Sequence, residues 1–575
     1  MLWAYSVLLL QRESGARTQE IAMTEKGKAS MSENISRRSF VKASALAGTS
    51  AMLAACGGNS GGSAGGDGAA KKALYFGQSN PKEGLDMQKS TNSGESAIAD
   101  SIVESPLRWT EDNVLVTTFL TEIPTFEADG VTLPCEIKEG VKFHDGTPLT
   151  AADVKYSFER MFTPATAAKS TYMYDMLAGA QEMLAGERDN LDEGITIEDD
   201  RHFTFHLAAP MVTFVNNLGI SYAHIFPKDA CEAAGDQWGL GLNMIGTGKY
   251  KLSENDDTTE VVLVKNEEYY DGEPALDEVH YVFYDDNSTK LNAFVAGEID
   301  WCDLDASLLE EYSKNAETAD KVVLYDTLGV MFIALNNSSE NLKDARVRQA
   351  LSMAINREEI LTNIMGGAGK VASGWLCPMT PGWDKDAPDL PYDPDGARAL
   401  LAEAGVTNLT LKCETRSAGS YVDIMTAVQG MWKEIGVTLD VQGVDSGVWS
   451  DDRAAGNIEV DCLGWFPLYA DADNHLYTYF AHTSSDTKSV YYHNDEFDAL
   501  VDQARVELDA DKRADLYKQA EDIAIRRDMA CIPLWWPKRS FVAQPYVVNP
   551  KVGNLIYHMI DVDVDPTHEA YPKDR

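Results

Sequence analysis

Residues 143–160 read FHDGTPLTAADVKYSFER, from Phe143 to Arg160. His144-Asp145-Gly146-Thr147-Pro148 is dense in turn formers, with Gly and Pro two residues apart. Thr150 then reads as a helix N-cap, and Asp153 supplies the acidic half of a capping box. Val154, Phe158, Met161 and Phe162 recur at helical spacing and define a buried face. The expectation is a strand, a tight turn and a capped amphipathic helix.

Working outward, the whole run from Gly140 to Arg160 resembles, without a gap, the signature of the extracytoplasmic solute-binding proteins of peptide- and nickel-type ABC importers. Further stretches carry the same resemblance: Gly246 to Leu252 (GTGKYKL), Asn266 to Asp277 (NEEYYDGEPALD), Val295 to Asp300 (VAGEID), Asp344 to Ile360 (DARVRQALSMAINREEI) and Cys531 to Trp536. The resemblance covers essentially all of residues 73–545. The resemblance implies an α/β, periplasmic-binding-protein-like two-lobe fold (type II), with an extra subdomain in the first lobe and a hinge between the lobes. Its implied division places lobe I at 73–115, 245–333 and 540–575, the extra subdomain at 116–244 and lobe II at 334–539.

The chain has 575 residues, beyond the roughly 250–300 at which a single core stops growing. It carries 49 basic against 91 acidic residues, a net charge of −42. Such a balance argues against nucleic acid or an anionic membrane surface as partner.

The N-terminal region reads as an address. Ser36-Arg37-Arg38-Ser39-Phe40-Val41-Lys42 resembles a twin-arginine export motif, and Leu53-Ala54-Ala55-Cys56 resembles a lipobox. Residues 1–55 would be the signal region, with Met31 a plausible true start. Cys56 would be lipidated, and 56–72 would be a Gly/Ser tether. Within the tether Gly58-Asn59-Ser60-Gly61-Gly62 matches the hydrolase G-x-S-x-G pattern formally. That chemistry needs a rigid strand-turn-helix elbow, which a flexible tether does not supply. The other seven cysteines, Cys135, Cys231, Cys302, Cys377, Cys413, Cys462 and Cys531, form no CxxC pair and read as buried free thiols.

In chain order, Ala73 to Gly77 reads as a strand, Asn80 to Gly94 as loop and Ser96 to Val103 as a helix. Thr196 to Leu207 reads as one strand, because Phe203 and Phe205 alternate with His202 and His206. A strand places those two histidines far apart for a shared metal. Arg346 and Arg348 read as scaffold ion partners. Leu409 to Cys413, Tyr421 to Ile435 and Val437 to Gln442 make a β-α-β unit, whose strands must run parallel. Ile458 to Trp465 is a further strand. Ligands of open parallel sheets sit beyond the carboxyl ends of the strands, which points to the loop Phe466 to Leu476.

The family resemblance implies that a solute is closed between the lobes, with main-chain groups of a short peptide paired to protein backbone. It implies ligand contacts at Asn92, Ser93 and Gly94. It also implies a carboxylate for the peptide ammonium at the position that Leu468 occupies here. Asp471 and Asp473 are the nearest substitutes, beside Asn474; otherwise the ligand lacks a free amino terminus. Trp465, Tyr469, Trp375 and Trp383 are candidate aromatic walls. The expected protein is a non-enzymatic, lipid-anchored monomer that passes peptides to ABC importer permease subunits. It is exported by the twin-arginine route to the outer face of the cell membrane and needs no cofactor or nucleic acid. Two other readings stay open: a non-peptide solute such as a nickel chelate or a glycoside, and an extracytoplasmic hydrolase.

Overall fold

The computed structural model describes residues 71–573, apart from 257 and 553–560. The signal region and Cys56 lie outside the described residues. A single twelve-stranded sheet organises the rest. Along its main path the strands run Val437–Val444, Leu409–Arg416, Val460–Trp465, Val330–Leu335, Cys531–Ala543, Trp301–Asp303, Ala73–Gln78, Glu278–Phe283, Glu260–Lys265 and Tyr250–Asn255. Val322–Asp326 and Gly369–Val371 pair off this path with Cys531–Ala543.

The thirteen-residue strand Cys531–Ala543 belongs to both halves of the molecule. Its first part pairs antiparallel with Val330–Leu335 and Gly369–Val371, up to Gly369 opposite Pro537. Its second part pairs with Val322–Asp326, from Asp326 opposite Lys538, and with Trp301–Asp303. The chain crosses a second time between Asp326 and Val330. Leu328 and Val330 already belong to the cores of the second half. Two apolar cores lie there, one around Met331, Trp432 and Trp535 and the other around Phe332, Trp375 and Tyr479. The first half has its own cores, around Leu74, Phe158 and Trp301 and around Leu291 and Val542. Two lobes joined by two adjacent strand crossings are the architecture of a hinge.

The extra subdomain contains the antiparallel sheet Ile195–Ile197, His202–His206 and Thr132–Glu136, with the helix Ala151–Phe162 against it. Its apolar residues share one continuous core with lobe I. The expected single strand over 196–207 is a hairpin instead. The Asp199 carboxylate accepts the backbone N–H of Arg201 at 2.8 Å and of His202 at 2.9 Å, which closes a turn there.

At the opening motif the Asp153 carboxylate accepts the Thr150 backbone N–H at 3.0 Å, as a capping box requires. The turn before it docks on the glycine motif at 246–248. His144 Nδ1 accepts the Gly246 N–H at 3.3 Å, so Nε2 carries the proton and donates to the Gly248 carbonyl at 3.0 Å. Burial lowers the His144 pKa to about 4, so the ring is neutral at ordinary pH. Gly248 must lack a side chain, because a Cβ there would stand 2.5 Å from the Ser101 carbonyl oxygen. The two sequence signatures are thus one structural joint.

The helix expected from Ser96 begins at Ser93, because Asn92 caps it by accepting the Gly94 N–H at 3.0 Å. The helix Asn287–Ala296 is capped in the same way, with Asp286 accepting the Thr289 N–H at 2.9 Å. The second family stretch forms the helix Ala345–Met353 behind Asp344, and Asn356 caps Arg357–Asn363. Arg346 pairs with Asp344, as expected of a scaffold residue. Arg348 differs: its guanidinium clamps the backbone carbonyls of Leu342, Lys343, Asp528 and Met529. The β-α-β unit is present, with Leu409 opposite Val437 in parallel register. The seven described cysteines are free and buried.

Candidate functional site

Strand direction locates the cleft. Val330–Leu335 starts at the hinge, and Val460–Trp465 runs antiparallel to it, with Trp465 opposite Val330. Leu409–Arg416 runs parallel to Val460–Trp465, so Arg416 and Trp465 lie toward the same hinge-side edge. In lobe I, Trp301–Asp303 runs antiparallel to the hinge strand, with Asp303 opposite Phe541, and Ala73–Gln78 runs parallel to Trp301–Asp303. The carboxyl ends of the parallel strands of both lobes therefore point at the hinge. Open parallel sheets bind ligands at those ends.

On the lobe I side, Gln78, Ser79, Asn80, Asn92, Gly94 and Asp303 line a cavity of about 200 Å³. Ser93 borders it as well. The three residues anticipated from the sequence are brought together here, although Ser93 and Gly94 form the first turn of a helix. Gln78 is 6% exposed; its Nε2 donates to the Gly94 carbonyl at 3.3 Å, while its Oε1 has no hydrogen-bond partner. A buried acceptor left in this condition favours a ligand donor.

On the lobe II side stands a group of cations on aromatic rings. The Arg416 guanidinium lies 4.3 Å from the Tyr421 ring centroid and 4.9 Å from that of Trp449. Arg453 covers Trp449 at 5.2 Å, and Lys488 covers Trp465 at 5.0 Å. The helix Ser446–Ala454 carries Trp449 and Arg453 four residues apart, on one face. Among the described residues none of the three cations has a carboxylate partner within 4.0 Å. Burial and the neighbouring Arg453 both lower the Lys488 pKa. Asp461 lies buried below, accepting the Trp449 indole N–H at 2.8 Å, and burial raises its pKa to about 6. Arg453 donates to the Ser489 hydroxyl at 3.0 Å, and an incoming anion would relieve the mutual repulsion of these like charges in a chain with net charge −42.

The other anticipated residues occupy a different setting. Trp465 is half-buried, with its indole N–H donating to the Asn474 carbonyl at 2.9 Å. Asn474 Oδ1 accepts the Leu468 N–H at 3.2 Å, so Asn474 braces the loop from within. Asp471 and Asp473 are each 4% exposed. Arg513 donates to both oxygens of Asp471, at 2.7 and 2.8 Å, and Asn216 of lobe I donates to Oδ2 at 2.8 Å. Asp473 pairs with Arg505 at 3.2 Å and accepts the Tyr517 hydroxyl at 2.9 Å. The stretch expected to remain loop to Leu476 turns into the helix Ala472–Phe480, which Asp471 caps. Tyr469 is 3% exposed and packs in the lobe I core. Trp375 is fully buried among Phe332, Tyr479 and Phe480, and its indole N–H donates to the His475 carbonyl. It is a core residue and reaches no cleft wall. Trp383 packs edge-on against Trp536.

Arg416, Tyr421, Trp449, Arg453 and Lys488 were not anticipated. The carboxyl-end rule, applied to Leu409–Arg416 as well as to the strand after it, points to Arg416.

Residues 115–487 match the bacterial extracellular solute-binding proteins, family 5 (middle region). The chain belongs to this family. Among curated relatives, the periplasmic oligopeptide-binding protein OppA of Salmonella typhimurium is 28% identical over 425 residues, covering 72% of this chain and 77% of the relative. The dipeptide-binding protein of Escherichia coli is 27% identical over 516 residues, covering 84% and 93%. Among solved structures, the unliganded open form of the periplasmic murein tripeptide binding protein MppA superposes with a TM-score of 0.76 at 24% identity, covering 86% of this chain and 97% of that one. DppA from Helicobacter pylori in complex with the peptide STSA gives a TM-score of 0.69 at 22% identity, covering 86% and 98%. The fold is that of the periplasmic binding proteins of this family.

Proposed function

We propose that this family 5 solute-binding protein captures short peptides between its lobes and hands them intact to the permease of an ABC importer. The observation that carries the reading is the cation group Arg416, Arg453 and Lys488 at the strand ends facing the hinge. A peptide's terminal carboxylate is an anion of the right size for such a group, and guanidinium binds carboxylates in bidentate fashion. The lobe I cavity, with Gln78 Oε1 and the Gly94 region, supplies main-chain-like partners for the peptide backbone. Ligand contact with both walls favours the closed arrangement in proportion to its differential affinity for that state.

The chain is exported through its twin-arginine segment and held at the outer face of the membrane by lipid on Cys56. The lobes meet near Thr327–Gly329 and Pro537–Lys538, and the protein acts as a monomer. No step makes or breaks a covalent bond in the solute.

The test is to purify the protein without refolding, add a defined mixture of short peptides, and analyse the complex by native mass spectrometry. The expected result is one bound, uncleaved peptide per chain, with a rise in the thermal midpoint. Cleaved peptides, or no bound peptide and no rise, would overturn the proposal.

A further inference from the structure

We propose that the loop 466–471 is a third, non-covalent pivot between the lobes: it stays seated in lobe I while the cleft opens and closes. The lobes then turn about the two chain crossings and this loop together. The inference goes beyond the peptide reading and holds for whichever solute the cleft takes.

Within this loop the side chains leave lobe II and return to it. Trp465 ends a strand of lobe II, and Ala470 and Ala472 lie in a lobe II core. Between them Leu468 packs against the lobe I core, and Tyr469 belongs to that core. The Tyr469 ring is stacked on Trp109 at 6.1 Å, with 15° between planes. Lobe I holds Trp109 in turn. Its indole N–H donates to the Asn216 carbonyl at 3.1 Å, and a Cβ on Gly219 would stand 3.0 Å from the indole ring. Side chains of lobe II therefore fill a socket that lobe I builds.

Polar bonds between the lobes surround the socket. Asn216 Nδ2 donates to Asp471 Oδ2 at 2.8 Å, while Arg513 fixes Asp471 from the lobe II side. The Val212 N–H of lobe I donates to the Arg505 carbonyl at 3.2 Å. Asn113 Nδ2 donates to Met379 Sδ at 3.5 Å. The loop is rooted at the hinge, where the Phe466 ring fills the space beside Gly329. A contact rooted beside a crossing travels little when the lobes turn. Parting it would bring the Tyr469 ring and the apolar wall of its socket into water. Near-parallel rings, by contrast, keep their contact as one turns over the other.

The test needs no solute: hydrogen–deuterium exchange of the full, unliganded chain, read residue by residue. The Val212 amide spans the two lobes, so it reports whether they part there. It is expected to exchange at least about thirtyfold more slowly than in an unfolded chain, and weaker protection overturns the inference. Tyr469→Leu is expected to speed Val212 exchange at least about tenfold while the amides of Leu409–Arg416 keep their rates, and Tyr469→Phe to leave all of them unchanged. An unchanged Val212 rate in Tyr469→Leu also overturns the inference. If that variant unfolds, the strand amides accelerate with Val212 and the result on the parent chain decides. A second measurement bridges Asn113→Cys to Met379→Cys with a short reducible thiol reagent. The bridged protein is expected to bind peptide within about fivefold of the same protein after reduction, and a larger loss that reduction restores overturns the inference. If neither form binds any peptide, the peptide reading fails and the exchange result alone decides the pivot.

Discussion

The hydroxyl of Thr327 donates to the carbonyl of Pro537 at 2.7 Å. These residues stand on the two chain crossings that join the lobes, so one side chain ties both hinge strands together. The same oxygen accepts the Gly329 N–H at 3.1 Å, and Thr327 is buried. Asp326 and Lys538 form an ion pair beside it at 3.3 Å.

Replacing Thr327 with Val keeps the shape and removes the oxygen. The buried Gly329 N–H and the half-buried Pro537 carbonyl then lose a partner, at a cost of about 1–3 kcal/mol. Urea unfolding should show a lower midpoint for Thr327→Val and near-complete recovery for Thr327→Ser. Equal midpoints for all three proteins would remove the hydroxyl from the account of the hinge.

Gly329 lies between the crossing and the cleft. A Cβ there would stand 2.5 Å from the Phe466 ring, whose residue begins the loop after Trp465. Gly329→Ala should push that loop away and reduce peptide affinity by about tenfold, or ~1.4 kcal/mol, in a calorimetric titration. Gly436, in the turn before Val437–Val444, has open space for a Cβ, so Gly436→Ala should lower stability through its φ of 82° and leave affinity alone.

The Asp471–Arg513 pair is buried, with side chains 5% and 12% exposed. Removing one partner of such a pair typically costs about 3–5 kcal/mol, because the other charge is left buried. Arg513→Met should therefore lower stability strongly. The double variant Asp471→Leu with Arg513→Met should recover much of the loss. A double-variant cycle on chemical unfolding measures this directly, and additive single effects would contradict it.

Two buried groups give opposite pH slopes. The folded pKa of His144 is lowered by burial to about 4 from 6.5, so the unfolded chain binds more protons between those values. Its contribution is complete above pH 6.5 and is lost as pH falls toward 4. Glu521 is pushed up by burial to about 7 from 4.5, while accepting the backbone N–H groups of Trp375 and Leu376. Its contribution is complete below pH 4.5 and is lost as pH rises through 7. Relative to the parent chain, Glu521→Gln should therefore gain stability as pH rises from 4.5 to 8. His144→Asn should show its largest deficit near neutral pH and a smaller one near pH 4. Unfolding midpoints across that range check both signs.

Local structure was legible wherever one segment decided it. The Thr150–Asp153 box, the β-α-β unit from Leu409 and the buried thiols needed only spacing and composition. Segment ends were less legible where short polar side chains compete for the backbone. Asn92 and Asp471 each start a helix earlier than the apolar periodicity suggests. The cleft was legible only in outline. Trp465 follows from strand direction, but the cation group assembles from Arg416, Arg453 and Lys488, which lie on three separate segments. Trp375 and Tyr469 illustrate the converse. An aromatic near a cleft in sequence terms has no fixed direction until its lobe is packed, and both rings point into cores.

The most direct test of the account is a calorimetric titration of one peptide, identified as bound by native mass spectrometry, into the parent chain and into a triple variant, Arg416→Gln, Arg453→Gln and Lys488→Gln. The cations repel one another in the unliganded protein, so the triple variant should unfold no more easily without ligand. It should bind the peptide at least a hundredfold more weakly, or ~2.7 kcal/mol. Unchanged affinity in a folded triple variant would contradict the placement of the site.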